Sequence, residues 1–529
     1  MTNPEQQDTF DVIVVGAGGS GFAAAIEARA QGRRVLLLEK NERVGGTTAL
    51  SVGSISATNT PHQLKAGIQD SPGDHAADMP LFASIDQRMG QCGELAPPEP
   101  AHLHRLLADN VSDSIRWLMD KGVVFLGPMP ELPHRRPRMH NVVPNSRAYI
   151  YHLHRHANRI GVEIRTGQPA RRLITDNGRV VGVETQSDSG TRAYHARGGV
   201  ILASGDYSAD PAMKREYLPE PGPRVPPINP TNTGDGQRLG MELGARIVNG
   251  HVAFVSLRFP APKKPSFVQN IPPYPWLMRF VAWGLAHLPP SLLRPFVLGY
   301  ITTFLIPELK IFKTGAIMVN RDGQRFVDEL GRPDTALLDQ PGQLGYAIMS
   351  DDVAQQFRKW PNYISTAPGV AYAYLQDYRR NRPDLYTVDA TLEGLARKLG
   401  IAPDKLRNTV DEYNAGAGLP GGARKPLVKG PFHVLGPIQN LMGYTEGGLA
   451  VNDRLEVLGA GDVPIPGLYA AGAAGQSGMM LMGHGHHLGW AFTSGRLAGR
   501  EAAFHATTDT LPGADEARTR AQQGMNAAT

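Results

Sequence analysis

At 529 residues, with 41% hydrophobic and 19% charged residues, the chain is too long for one ordinary core and is expected to form two domains able to bury a large ligand. The net charge is only +5 and no lysine- and arginine-rich run is interleaved with aromatics, which excludes the usual nucleic-acid-binding designs; RRPR at 135–138 and PKKP at 262–265 are read as solvated loop charges. A single cysteine, Cys92, excludes an internal disulfide, a thiolate-held iron–sulfur cluster and a CxxCH haem attachment, so electrons must travel through a bound organic cofactor or directly to another molecule.

The first residues, MTNPEQQDTF, lack a basic n-region and an apolar h-region, so the expectation is a reducing cytoplasm. Next comes DVIVV at 11–15, a β-branched run that leads into GAGGSG at 16–21 and then into the alanine-rich FAAAIEARAQG. Strand, glycine turn and helix follow in that order, and a second strand, RVLLLEK, ends with Glu39 eighteen residues beyond Gly21. The spacing has a physical reading: Gly16 permits the tight turn, Gly18 lets backbone approach a pyrophosphate, and Gly21 lets helix and strand pack closely. The phosphates then meet the positive end of the helix, and Glu39 accepts from the adenosine ribose hydroxyls. The loop ERVGGTTALSVGSIS at 42–56 is rich in glycine, threonine and serine. A nicotinamide has little use for it, whereas a flavin needs several donors along its ribityl chain and ring edge. Two further apolar strands, GGVILASGDYS at 198–208 and GLYAAGA at 467–473, also end in small residues.

These stretches resemble the FAD-binding oxidoreductases of the fumarate reductase/succinate dehydrogenase flavoprotein superfamily, in particular the 3-ketosteroid Δ1-dehydrogenase branch. GAGGSG with Glu39, GGTTALS at 45–51, ILASGDYS at 201–208, NTGDGQRLG at 232–240, GAIMVNRDGQRFVDE at 315–329, TEGGLAVN at 445–452 and IPGLYAAGA at 465–473 occur in the family's order across almost the whole chain. The resemblance implies an α/β fold: a discontinuous Rossmann-like FAD-binding domain from 1–250 and 430–505, an inserted α+β substrate or cap domain over 251–429, and a tail over 506–529. It implies FAD held by Gly16, Gly18, Gly19, Ser20, Gly21, Glu39 and Lys40 at the first turn, and by Gly46, Thr47, Thr48, Leu50 and Ser51 in the second loop. Ala170, Ala203, Ser204, Gly205, Asp235, Gly472, Ala473, His487 and Leu488 complete the implied set. Thr47 falls where covalently flavinylated members carry histidine, so non-covalent FAD is expected; Ala473 replaces a Glu or Asn that touches the ribityl chain in relatives.

Within the inserted part, LEGLARKLGIAPDKLRNTVDEYNAGA at 392–417 predicts two amphipathic helices. The segment 272–309 is unusually apolar, yet its longest uncharged run, Phe280–Leu293, is fourteen residues and holds Pro289 and Pro290, too short and broken to span a bilayer. Three readings stay open for it: a hairpin buried in the cap, a surface dipping into a membrane interface, or an oligomer contact.

Near the end stands GMMLMGHGHHLGW, 478–490. A metal site finds little support, because His484 and His486 lack helical i, i+4 spacing and no cysteine or nearby acid completes a set. A structural role around the flavin and a proton-transfer role both remain. The family's proton-transfer groups are missing: by resemblance, Pro333 stands where the reductases have an arginine and Leu481 where the dehydrogenases have a tyrosine. Gly485 matches the glycine whose N–H polarises the ketone oxygen.

The leading expectation is therefore an FAD-dependent oxidoreductase that desaturates or reduces a carbon–carbon bond beside a carbonyl in a bulky apolar, cyclic ketone such as a 3-ketosteroid. In it Gly485 holds the carbonyl, His484 or His486 handles the proton, and Tyr300 and Arg332 stand in reserve. An external electron acceptor, of quinone type, completes the scheme. A fumarate-reductase-like ene-reductase using Arg332, and an FAD-binding protein that has lost this chemistry, are the alternatives.

Overall fold

The structure is a computed structural model describing residues 8–82, 91–92, 100–188, 190–262, 270–289, 298, 302, 307–367, 371–416 and 425–508. Strand β1 (Thr9–Val15) is buried from Val12 to Val15, as an inner strand of a parallel sheet covered on both faces must be. It enters helix α1 (Gly19–Ala30), whose Ala23, Ala24, Ala25 and Ala28 are fully buried, and then β2 (Val35–Leu38). β1 and β2 are parallel, with Val12 opposite Val35 and Val15 opposite Leu38.

Helices α2 (Pro72–Asp78), α3 (Ala101–Asp120) and α4 (Arg147–Ile160) follow. β3 (Glu163–Arg165) then lies parallel to β2, and β4 (Gly190–Leu202) lies parallel to the other edge of β1. A second, antiparallel sheet begins with β5 (Ala253–Arg258), flanked by Gln91–Cys92. Helix α5 (Pro275–His287) comes next, then β6 (Gly345–Met349) and the fourteen-residue β7 (Phe432–Thr445), which pairs with both β5 and β6. The chain rejoins the parallel sheet at β8 (Pro464–Ala470), beside β4, and ends its described part in α6 (His486–Thr508). The strand order β8-β4-β1-β2-β3 is doubly wound around β1, with a separate core under the second sheet from Phe312, Met349, Phe357 and Tyr378.

Just after residue 430, the expected start of the second nucleotide-binding part, β7 is a central strand of the antiparallel sheet, with its backbone paired to β5 on one side and β6 on the other. The expected helix pair forms over Leu392–Leu399 and Pro403–Asn414, burying Leu395, Leu406 and Val410.

In the apolar segment α5 buries Met278 but exposes Trp276 (69%), Phe280 (66%) and Trp283 (53%), so this helix is not enclosed by the cap as a buried hairpin would be. Among the described residues no helix is long and apolar enough to cross a membrane. Tyr300, residues 263–265 of PKKP and the tail from 509 lie outside the described residues.

The charges of RRPR are only partly solvated, contrary to expectation. Arg138 is fully buried; Nε and Nη2 each bond Asp70 at 2.7 Å and Nη1 bonds Asp78, while the exposed Arg135 holds Asp78 and Asp74 from outside. This cluster fastens α2 and its N-terminal approach to the 131–138 loop. Removing one partner of a buried pair strands the other, so Arg138→Ala is expected to cost about 3–5 kcal/mol. Urea unfolding of the two proteins measures it, and a loss below about 1 kcal/mol contradicts the network's role.

Candidate active site

The cofactor end of the cavity is built where the parallel strands stop. Gly16 turns the chain at φ +106°, and a Cβ there would sit 2.5 Å from the Ala203 carbonyl oxygen, so no other residue fits. Gly18 faces open space, leaving its backbone accessible, whereas a Cβ on Gly21 would meet Gly16 O at 1.8 Å. Gly21 thus serves helix–strand packing and does not line the cavity. The carboxylate of Glu39, on the cavity wall, is set locally: Oε2 accepts from Ala17 N at 2.9 Å, and Oε1 from Asn41 N at 3.0 Å and Asn41 Nδ2 at 2.8 Å. Lys40 Nζ bridges to Asp235 at 2.7 Å beside them.

Thr48 Oγ1 accepts from Gly19 N at 3.0 Å, tying the second glycine loop to α1. Thr47 Oγ1 accepts from Asn229 and Asn232 at 2.8 and 2.9 Å. A single cavity of about 1200 Å³ runs along all of these groups. Its walls include Gly16, Gly18, Gly19, Ser20, Glu39, Lys40, Gly46, Thr47, Thr48, Leu50, Ser51, Ala170, Ala203, Ser204, Gly205, Asp235, Gly472, Ala473, His487 and Leu488. The cradle fits an FAD: an acid for the ribose, bare glycine backbone at a helix N-terminus for the pyrophosphate, and hydroxyls and small residues beyond.

Phe82, Leu132, Phe254, Phe259 and Leu441 supply an apolar part of the same lining. His484 and Gly485 reach it from the turn before α6. Gly485 has φ +97°, and a Cβ would sit 2.4 Å from Ser56 N, so the turn lies tight on that strand. The His484 imidazole is 47% exposed and its Nδ1 is paired with the nearly buried carboxylate of Glu131, which also accepts from His484 N at 3.1 Å. Strand pleating supplies the opposite wall: Arg258 on β5 lies across from Gln439 on β7, and Phe254 across from Tyr444. Burial pulls the Arg258 guanidinium below its usual pKa, and Nε bonds Ser256 Oγ at 3.0 Å. Tyr444 packs on Phe254 at 5.3 Å and on His487 at 4.1 Å between ring centroids. Glu131, Arg258, Gln439 and Tyr444 were missed in the sequence. Arg258 at the end of an apolar strand and Tyr444 beside TEGGLAVN were visible signals; Glu131 in its proline-rich loop was not.

Two proposed catalytic residues are elsewhere. Arg332 precedes the short helix Pro333–Leu337, is 60% exposed, and is held by Asp334 at 2.9 and 3.0 Å, away from the cavity. His486 is fully buried behind Phe82, because the first turn of α6 rotates it away from the cavity that His484 and His487 face. Its Nδ1 meets Met482 O at 2.6 Å and its Nε2 lies 3.3 Å from His75 Nε2. His134 packs against both rings, and the three form a buried cluster able to hold a metal ion, a grouping that spacing within 484–487 did not suggest. Burial lowers His134 to about 2 and His486 to about 4, and His75 well below its ordinary value, so all three are neutral.

The match to known proteins agrees with this cradle: residues 11–262 and 275–485 fit the model of an FAD binding domain family. The chain belongs to that family. Its cofactor is FAD. NADH:acrylate oxidoreductase of Vibrio harveyi is 27% identical over 94% of the chain, which spans 50% of that relative's length. Two solved structures share the fold. The open conformation of a flavocytochrome c3 fumarate reductase has a TM-score of 0.70 at 24% identity, over 94% of this chain and 79% of that one. The 3-ketosteroid Δ1-dehydrogenase of Sterolibacterium denitrificans with 1,4-androstadiene-3,17-dione has a TM-score of 0.62 at 20% identity, over 94% and 99%.

For this FAD-binding chain, acid precipitation should release all the flavin into the supernatant, since Thr47 offers no nucleophilic ring nitrogen. Yellow colour retained in the washed pellet would contradict non-covalent binding. Gly16→Val, which drives a side chain into Ala203, should purify without flavin.

Proposed function

We propose that the protein is an FAD-dependent oxidoreductase acting on a carbon–carbon bond next to a carbonyl in a bulky, mainly apolar cyclic substrate of the 3-ketosteroid kind. The observation that carries this is the His484–Glu131 pair on the cavity wall, beside Gly485 and facing Phe82, Leu132, Phe254 and Phe259. Bound FAD supplies hydride exchange; the chain must supply a proton group and a grip on the carbonyl. Glu131 orients the His484 ring through Nδ1, as a carboxylate behind a histidine does in general acid–base sites. Gly485 N–H and the Arg258–Tyr444 wall offer two places where negative charge on the substrate oxygen is stabilised. The electrons pass to an external acceptor of the quinone class.

A second reading has its own support. Arg258 is a cation on the cavity wall among Phe254, Phe259 and Leu441, suited to one carboxylate, and NADH:acrylate oxidoreductase is a relative. In this reading the protein reduces an unsaturated monocarboxylic acid, with His484 as proton donor. Arg332 has no part in it. Anaerobic mixing of the yellow protein with 3-ketosteroids, smaller cyclic ketones and saturated acids separates the readings by which class bleaches the flavin. Bleaching by dithionite alone would support an FAD-binding protein without this chemistry. His484→Gln should keep full FAD content and lose about 10²–10⁴-fold in turnover; unchanged turnover removes His484 from the mechanism.

The exposed stripe Trp276, Phe280 and Trp283 lies on one side of α5, with the Phe280 and Trp283 rings stacked at 6.2 Å. We assign it to peripheral contact with a membrane surface, which suits both a poorly soluble substrate and a quinone. Wild-type protein should sediment with phosphatidylcholine vesicles, and Phe280→Ser/Trp283→Ser protein should stay in the supernatant with its FAD. Equal partitioning of the two refutes the contact.

A further inference from the structure

We propose that His75, His134 and His486 form a buried site for a zinc-class divalent metal ion, which pins the turn carrying His484 and Gly485. The site draws on three distant segments: α2, the 131–138 loop and the first turn of α6. It is separate from the flavin cradle and does not depend on the reaction proposed above.

The geometry is that of a three-histidine corner. Metal–nitrogen bonds of about 2.0–2.1 Å at tetrahedral angles put ligand nitrogens about 3.3–3.4 Å apart and imidazole centroids about 5.2 Å apart. His75 Nε2 and His486 Nε2 are 3.3 Å apart, and the three ring centroids are separated by 5.1, 5.4 and 5.4 Å. All three ligand atoms lie within 4.8 Å of one another, which leaves at most about 1.5 Å of closure at the His134 corner, a ring rotation.

The surroundings favour a cation. His486 Nδ1 donates to Met482 O at 2.6 Å, which leaves the lone pair on Nε2 pointing at the other rings. His134 Nε2 is buried with no hydrogen-bond partner among the described residues, a cost of about 1–3 kcal/mol that ligation removes. As the rings stand, Arg138 donates to His134 Nδ1 at 2.9 Å, which places the ring proton on Nε2. Ligation moves that proton to Nδ1 without net release, where Asp78 Oδ2, 3.9 Å away, becomes its acceptor while Arg138 keeps Asp70, and the proton that His75 Nε2 presents to His486 moves likewise to His75 Nδ1. The result is a carboxylate behind a metal-bound histidine. Asp70, Asp74 and Asp78 against Arg135 and Arg138 make the underlying ion cluster one charge negative. Phe82 covers the remaining side, with its ring 4.7 Å from that of His134 and 5.2 Å from that of His486, so the site is closed to the cavity.

The test uses the untagged, FAD-loaded full chain. It is stripped with dipicolinate, then titrated with zinc sulfate while bound metal is measured by mass spectrometry and melting temperature is followed. One zinc per chain and a higher melting temperature are expected. Cobalt in place of zinc should give the visible d–d bands of a four-coordinate site made of three imidazole nitrogens and one water, which needs no mutation. His75→Ala should abolish metal uptake with FAD content retained, while His102→Ala, a surface histidine, leaves it unchanged. Absence of uptake and of cobalt bands, or full uptake by His75→Ala protein, overturns the site and leaves the triad as a hydrogen-bonded imidazole cluster.

Discussion

The constraint on which the rest depends is the close parallel packing of α1 against α6. A Cβ on Gly495 would lie 2.3 Å from Ser20 O, and one on Gly499 2.3 Å from Ala24 O, so the two helices approach to backbone contact along matched registers. Parallel neighbours put both positive helix ends on the same side, an arrangement that repels unless negative charge meets it. Gly18, Gly19 and Ser20 from one N-terminus and His487, Leu488 and Ala491 from the other line one cavity. A cofactor with two phosphates supplies the missing charge. The residues that permit the helices to touch also create the site that needs the ligand.

The second sheet matters because it brings chemistry to that cavity from far away in sequence. β5 and β7 are antiparallel, so their pleat points Phe254, Arg258, Gln439 and Tyr444 toward the cofactor region while Val255 and Met442 go to a core. The partner of His484 comes from a third place. Glu131 is 353 positions away, in a loop held by the buried Arg138 cluster. His484 is thus anchored at the cavity wall through ion pairs that lie outside the cavity lining.

Much of the cofactor site was legible because its signals are local. A glycine turn between an apolar strand and an alanine-rich helix, followed by an acid at the end of the next strand, leaves few structures to choose from, and Gly16, Gly18 and Glu39 line one cavity. The substrate end was far less legible. Arg332 adjoins Pro333, but proline starts a short helix there and turns the arginine outward to Asp334. Neighbourhood in sequence does not fix side-chain direction. RRPR shows the same limit: four residues of similar composition contain one fully buried guanidinium, because two aspartates on and before α2 neutralise it. The boundary at 430 rests on the resemblance alone, and no local signal in 432–445 tells which sheet the strand joins.

The run MMLMGHGHH separates its histidines by the same logic. Met479 and Leu481 join the main core, while Met480 and Met482 turn to a small cluster with Phe82 and Val252, so alternate residues are gripped on opposite sides. A segment held on both faces cannot slide, and Gly483 and Gly485, both at positive φ, then let the chain turn sharply into α6. The three imidazoles are dealt to three environments: His484 to Glu131 at the cavity, His486 to His75 and His134 behind Phe82, and His487 to Glu446 and Tyr444. The question raised by the histidine cluster therefore has no single answer, since glycine placement divides one short motif between the reaction cavity and the protein interior.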